Sequence, residues 1–349
     1  MGENQLKKSL LLIFLLFLLS SCTMTSNLNI KSGGDQIYYI SKQNESINIE
    51  ILNIETREKN KLIIDEAPLG MNPSVPVWSN SLQSFLICYS NDSNSDIYSF
   101  DKNGKNLKNL TKSEHVFEST PIPSPDGRWI AFERFETKSD IWIMDKDGKN
   151  ARNLTINMPQ NHNPMWSNNS NELYFSSNKE GTPNIFKISL DGTLTNISLG
   201  KGVDGTFSLS SDLTKIVFDS DREGNMDIFL MDLVTSEIIN LTKSVTAESE
   251  PVFSTDNKFI LYRTLHGMVF DYSVFNIDTK EIMNLSVTPD NFSGNAIWNN
   301  DSSRIYASVK TNNQLDIFSV SIEDKKILNL TNTTKIDEFP PLLVNFIGK

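Results

Sequence analysis

Cysteine and histidine are nearly absent. Two Cys and three His in 349 residues exclude a disulfide framework and a four-Cys zinc site. They also leave little material for a His-based metal centre or a catalytic triad. Basic residues are outnumbered: 43 Asp and Glu face 32 Lys and Arg, a net charge of −11. Nucleic-acid binding needs a cationic footprint, so that class is excluded. Helical patterning is missing as well, since no long segment repeats its apolar residues at helical spacing. There is no G-x-S-x-G elbow, no Gly-rich phosphate loop and no H-E-x-x-H pair. What remains is a chain with 38% hydrophobic and 21% charged residues, long enough to bury a core without staples. No cofactor or metal is expected.

The longest apolar run, Ser9 to Leu19, follows Lys7 and Lys8. It has the length of a signal-peptide core and is short for a membrane-spanning helix. Leu19-Ser20-Ser21-Cys22 closes it: an aliphatic residue, two small ones and a Cys. This resembles the lipobox of bacterial lipoproteins. The resemblance implies cleavage before Cys22, a diacylglycerol on its thiol and acylation of the new N-terminus. The expected organisation is a signal peptide over 1–21, a lipidated polar tether over 22–34 and a folded domain over 35–346. Several acyl chains anchor more firmly than one. The body is therefore expected on a membrane of a bacterial envelope, the outer membrane facing the periplasm in a Gram-negative cell. Cys88 lies in Phe85-Leu86-Ile87-Cys88-Tyr89, a strand-like run that predicts a buried, inert thiol.

The rest of the chain is one pattern repeated. An Asn-Leu-Thr-like triplet begins at Asn109, Asn153, Asn196, Asn240, Asn284 and Asn329, at spacings of 43 to 45. An Asp-Ile-aromatic triplet recurs in phase at Asp96, Asp140, Asn184, Asp227 and Asp316, with a degenerate copy at Ser273. An apolar-Ser step recurs at Trp78-Ser79, Trp166-Ser167, Leu209-Ser210 and Phe253-Ser254, with variants at Pro123-Ser124 and Trp298-Asn299. A period of this length built from strand-like segments predicts an all-β fold: a β-propeller of four-stranded antiparallel blades. In one repeat, strand A is expected over Glu118 to Ser124 and strand B over Trp129 to Glu133, joined by a Pro125-Asp126-Gly127-Arg128 turn. Strand C follows over Asp140 to Met144. A hairpin turn at Asp145-Lys146-Asp147-Gly148 leads to strand D over Ala151 to Thr155. Asp before each Ile-aromatic pair is expected to cap the B–C loop through backbone N–H groups.

Six complete units run from about Asn72 to Thr331. Before them, three segments from Gln36, Ile47 and Lys59 read as B, C and D without an A. After them, Glu338 to Leu343 reads as a lone A. The simplest arrangement is seven blades, the last shared by both termini, which removes a sheet edge. Six blades with peripheral ends is the alternative. Pro121-x-x-Ser124-Pro125-Asp126-Gly127, then Ile130-Ala131-Phe132, and Ser220-Asp221-Arg222-Glu223-Gly224 with Asp227-Ile228-Phe229 resemble the TolB-type propeller repeat. The resemblance covers roughly residues 35–346. One repeat keeps Ser-Pro-Asp-Gly; others carry Ser79-Asn80-Ser81, Ser167-Asn168-Asn169 and Ser254-Thr255-Asp256. The α/β domain that precedes the propeller in TolB has no counterpart in the tether, so the expectation is a TolB-like lipoprotein distinct from TolB.

One column of residues stands out chemically. Where strand D hands over to strand A stand Pro73, Glu118, Asn161, Asp204, Glu248, Ser293 and Glu338, with His162 beside Asn161. In a propeller this position lies at one mouth of the central channel. Glu118, His162, Asp204, Glu248 and Glu338 are the candidate partner-binding residues, because a ring of acids suits a basic peptide segment or a cation. The plainer reading has them satisfy loop amides and face water. Like charges in one ring are expected to raise each other's pKa. Arg is scarce on this side. The function expected is a non-catalytic scaffold that binds an envelope protein or peptide. The alternative is a carbohydrate-binding protein or a propeller enzyme with its site in the channel, where Trp78, Trp166 and Trp298 offer stacking surfaces unless they are core.

Overall fold

The computed structural model describes residues 36–43, 46–199, 202–267, 269–285, 292–311, 314–332, 337–338 and 342–344. Cys22, the signal peptide and the tether lie outside them. Among the described residues every regular element is a β-strand. Each sequence period becomes one antiparallel set of short strands: sheet 1 over 72–109, sheet 2 over 117–153, sheet 3 over 161–196, sheet 4 over 204–240, sheet 5 over 248–285 and sheet 6 over 292–329, with sheets 1 and 2 joined edge to edge by one parallel bridge from Ser95 to Phe117. In sheet 2, strands A to D are Phe117–Pro123, Trp129–Phe135, Ser139–Asp145 and Arg152–Asn153. The expected boundaries hold to within two residues, except that strand D is shorter than Ala151 to Thr155.

The repeated residues are the bonds that shape each sheet. The Ser of the apolar-Ser step ends strand A: Ser124 Oγ donates to Asp126 at 2.6 Å and accepts the Trp129 N–H at 3.0 Å. Ser210 with Asp212 and Ser254 with Asp256 repeat this turn. The Asp of the Asp-Ile-aromatic triplet works differently from the expectation. It joins strand C to strand D rather than capping the B–C loop. Asn153 Nδ2 donates to Asp140 Oδ2 at 2.9 Å, and the Thr155 hydroxyl donates to Asp140 Oδ1 at 3.1 Å while accepting the Ile141 N–H at 2.9 Å. Asp96 and Asp316 bind Asn109, Thr111 and Asn329, Thr331 in the same way. The two triplets recur in phase because they are two halves of one cross-strand network. Strand D needs only two or three ladder residues because this network fixes its end.

Glycine is required in the C–D turns of sheets 1 and 2 for a reason beyond turn type. Gly148 has φ +82°, and a Cβ there would lie 2.2 Å from the Leu110 carbonyl oxygen of sheet 1. Gly104 has φ +75°, and its Cβ would meet the Ile63 carbonyl at 1.9 Å. Each turn therefore packs against the preceding unit, where only a residue without a side chain fits.

The chain ends pair with each other. Gln36–Gln43, Ser46–Asn53 and Lys59–Lys61 form an antiparallel set. Leu342–Val344 and Asp337–Glu338 add to its open edge, in the register Gln36–Val344, Tyr38–Leu342 and Ser41–Glu338. In this terminal sheet, successive residues face opposite neighbours, as a strand dictates. Ile37 and Tyr39 pack with Tyr306 and Ile317 of sheet 6, while Tyr38 and Ile40 pack with Trp78 and Phe85 of sheet 1. Similar apolar clusters fill the spaces between sheets 1 and 2, 2 and 3, 3 and 4, 4 and 5, and 5 and 6. The core is thus a set of inter-sheet layers. Trp78, Trp166 and Trp298 belong to them, each at most 6% exposed. The Trp166 indole N–H reaches the Ile122 carbonyl of the preceding sheet at 2.9 Å. They are core, not stacking surfaces. Cys88 is a buried free thiol.

In every sheet the B–C loops and D–A connections lie at one end of the strands, the loop end. The A–B and C–D turns lie at the other, the turn end. Gln36 aligns with Asn53, the first residue of a C–D turn, so the chain enters the terminal sheet from the turn end.

Candidate functional site

Strand A starts at the loop end, and Glu118, Asn161, Asp204 and Glu248 sit in the seam between their own sheet and the preceding one. The Glu248 N–H bonds the Met226 carbonyl at 2.8 Å, and the Asp204 N–H bonds the Pro183 carbonyl at 2.9 Å. Met226 and Pro183 are the residues just before the Asp-Ile-aromatic triplets, so the column is pinned beside the acid of strand C next door. Ser95 Oγ donates to the Glu118 carbonyl at 2.7 Å in the same seam position. After the column residue, strand A bulges, with positive φ at Thr120, Asn163 and Glu250.

Burial is the main surprise. Glu118, Asn161 and Asp204 are fully buried and Glu248 is 3% exposed. The side chain of Glu338 lies outside the described residues. His162 is the accessible member, with 43% of its side chain exposed. Its Nδ1 lies 3.1 Å from Glu133 Oε2, and Glu133 Oε1 accepts the Asn163 N–H at 2.8 Å. Burial pulls the His162 pKa down, but the Glu133 carboxylate outweighs it and holds the imidazole above its ordinary value. Asp219 plays the part of Glu133 two sheets on. It accepts the Thr206 N–H and the Glu250 N–H of the next sheet, both at 2.9 Å. Gly205 makes room for it, since a Cβ there would lie 1.9 Å from Asp219 Oδ1. Burial pushes Asp219 up to about 6.

Three arginines, scattered in the sequence, converge on this end. Arg134 Nη1 lies 3.5 Å from Glu118, Arg222 Nη2 lies 2.7 Å from Asp204, and Arg263 Nη1 lies 2.8 Å from Glu250. Arg134 and Arg263 also cover the rings of Trp142 and Phe270 at 4.6 and 4.1 Å. Arg134 was legible as the cross-strand partner of Glu118 once the register was known. Arg222 stands at the Arg of the S-x-R-x-G motif. The seams also change the electrostatic reading. Burial, then Asp96 of the neighbouring strand C, pushes Glu118 up to about 7 against Thr111 and Arg134. Burial and Asp227 do the same to Glu248. The perturbing acid is a strand-C aspartate in the same seam, not another column member. Among the described residues no group of three His, Cys, Asp or Glu side chains is placed to hold a metal ion.

No family model matches the chain. Over 143 residues it is 31% identical to a protein described as a TolB homolog of Chlorobium luteolum, a match covering 41% of this chain. That match spans 32% of the relative's length, about a third. Among solved structures, the chain resembles a puromycin-hydrolysing peptidase of Mycobacterium tuberculosis with TM-score 0.68 and 13% identity, over 86% of this chain and 52% of that one. It resembles an oligogalacturonate lyase in complex with manganese with TM-score 0.60 and 12% identity, over 86% of each chain. TolB from Acinetobacter baumannii gives TM-score 0.53 and 14% identity, over 87% of this chain and 79% of that one. At these identities the structural likeness carries the fold alone, and that fold is a TolB-like β-propeller built from sequence repeats.

Proposed function

We propose that the chain is a seven-bladed propeller, tethered to a bacterial envelope membrane through lipid on Cys22, that holds a protein or peptide partner at its loop end. Seven blades are supported by the terminal sheet, in which both chain ends pair, and by its apolar layers toward sheets 1 and 6. The observation that carries the partner reading is the loop end itself. Four D–A connections present large apolar side chains to solvent: Leu69 at 98% exposure, Ile156 at 65%, Leu199 at 73% and Val245 at 99%. The tether meets the domain at Gln36, on the opposite end. A lipid-held propeller would then turn its apolar loops away from the bilayer and toward soluble or periplasmic partners. His162 is the candidate contact residue of the column. Glu118, Asp204, Glu248 and Glu338 are candidates to hold the loops that a partner meets.

Photo-crosslinking residues placed at 156, 199 and 245 should capture the same envelope protein, whereas equivalents at turn-end positions 147, 191 and 278 should not. Equal capture from both ends, or loss of capture on membrane solubilisation alone, would contradict the reading. Cys22→Ala should release the protein from the membrane fraction and abolish fatty-acid labelling. A carbohydrate-binding or lyase-like use of the channel is the second reading. Its support is the likeness to an oligogalacturonate lyase and the half-exposed His162–Glu133 pair. Saturable binding of oligogalacturonates, lost in His162→Ala, would favour it.

A further inference from the structure

In four seams at the loop end a strand-C polar residue stands beside a column residue whose side chain is described, and the pairs are not chemically alike. Asp140 faces Asn161. Asn161 Nδ2 donates to Asp140 Oδ1 at 3.2 Å, to the Ser139 carbonyl at 3.2 Å and to the Pro159 carbonyl at 2.9 Å. Between sheets 3 and 4 the roles swap: Asn184 stands on strand C and Asp204 in the column, where Asp204 Oδ1 accepts Arg222 and the Ser220 hydroxyl, both at 2.7 Å. Among the described side chains, two seams instead place acid beside acid: Asp96 with Glu118, and Asp227 with Glu248.

In these two seams the aspartates already hold donors. Asp96 accepts Asn109 Nδ2, the Thr111 hydroxyl and both the N–H and hydroxyl of Ser113. Asp227 accepts Asn240 Nδ2 at 2.7 Å and the Ser244 N–H at 3.0 Å. Glu118 Oε2 and Glu248 Oε2 are buried with no hydrogen-bond partner, as are Asn161 Oδ1 and Asp204 Oδ2, but only at the two glutamates does that atom belong to a carboxyl facing a second carboxyl. The charged or titratable groups facing Glu118 are Asp96 and Arg134; those facing Glu248 are Asp227 and Tyr262. A buried carboxylate with an unpartnered oxygen beside another carboxylate is a costly arrangement in a protein interior. A protonated Glu resolves it, because one of the two facing charges is removed.

We infer that Glu118, beside Asp96, and Glu248, beside Asp227, each keep a proton in the folded chain, so that these two seams weaken as the pH rises while the amide-bridged seam does not. The proton resides on the glutamate, because the aspartate's oxygens already accept several donated bonds. In the unfolded chain each Glu titrates near 4.5, and burial lifts the folded value to about 7. Between those values the folded chain keeps a proton that the unfolded chain has lost. Stability therefore falls as the pH rises from about 4.5 to 7, and levels off above. The seam itself carries two charges only above the upper value, which is where the loop end loosens. The Glu248 seam is the more sensitive, since Arg134 offsets part of the charge at Glu118.

Thermal unfolding of the full chain from pH 5 to pH 8.5 tests this in four forms: wild type, Glu118→Gln, Glu248→Gln and Asn161→Asp. Glu248→Gln supplies a permanent amide and should raise the melting temperature at pH 8 by about 2–4 °C while changing little at pH 5. Asn161→Asp creates a third acid pair and should do the reverse, with its loss confined to the higher pH. A Glu248→Gln protein less stable than wild type at pH 8 would overturn the inference, as would an Asn161→Asp penalty equal at both pH values. Destabilisation of wild type by a chelator would also overturn it, because a bridging cation would then do the work assigned to the proton. Should Asn161→Asp fold at neither pH, the infrared stretch of protonated carboxyls in wild type decides. Its loss on raising the pH through neutrality, absent in the Glu118→Gln/Glu248→Gln double variant, is expected; no such band at pH 6 would contradict the inference.

Discussion

The seam between sheets 2 and 3 and the seam between sheets 4 and 5 have the same backbone geometry and opposite chemistry. Both place strand A's first residues beside a strand-C aspartate, and both bulge two residues later, at Asn163 and Glu250. In one, Asn161 donates three bonds and leaves only its neutral Oδ1 without a protein partner. In the other, Glu248 brings a second carboxyl and leaves Oε2 without a protein partner. The backbone of the repeat tolerates either, because the apolar layers between sheets hold the spacing. What differs is the condition under which the seam is satisfied. An amide bridge is indifferent to pH, whereas an acid pair is complete only while it keeps a proton.

The largest effect should come from removing a seam outright. Deleting residues 337–349 strips the strands that pair with Gln36–Gln43 and exposes both edges beside the terminal sheet. Calorimetry should show the loss of a single cooperative transition; an unchanged melting profile would favour six independent blades. Next comes Phe85→Ala in the seam between the terminal sheet and sheet 1. Phe85 is fully buried against Tyr38, Trp78 and Phe100, with centroids at 5.3, 4.9 and 5.0 Å. Its loss should cost about 3–5 kcal/mol, read by denaturant titration, and equally at all pH values.

Asn161→Asp should be smaller, about 1–3 kcal/mol, and confined to neutral and higher pH because an unsatisfied acid replaces a donor. Equal loss at pH 5 would mean that shape, not charge, governs the seam. The smallest effect belongs to His162. Its pKa is raised by Glu133, so the pair contributes below about 6.5 and fades as the pH rises through the raised value. The group is half-exposed, so His162→Gln should change stability by less than about 1 kcal/mol. Proton NMR of the imidazole should show a midpoint above 6.5, falling back in Glu133→Gln.

The fold was written in the repeats to an unusual degree, and the reason is physical. Asp140, Asn153 and Thr155 recur because they are one bonded set, and Ser124 recurs because it closes a turn. A period visible in sequence thus reports contacts that are local within a repeat. The candidate site was less legible for the converse reason. Its decisive contacts cross between repeats, as Glu133 does to Asn163 and Asp219 to Glu250. Column position alone placed Glu118 and Glu248 together, but it gave no hint that they are buried or that their perturbing neighbours are Asp96 and Asp227. The arginines were missed because Arg134, Arg222 and Arg263 occupy different positions in their repeats, so no recurring column marks them, although each meets its acid within its own sheet.

The most direct measurement is the titration of the Glu248 carboxyl itself, followed by carbon NMR in protein labelled at glutamate and assigned with Glu248→Gln. A proton kept on Glu248 requires a midpoint near 7, as burial beside Asp227 dictates, and a downward shift when Asp227 is replaced by Asn. A midpoint near the ordinary 4.5, unmoved by Asp227→Asn, would mean that Glu248 is ionised in the folded chain and that the two kinds of seam do not differ in the way described.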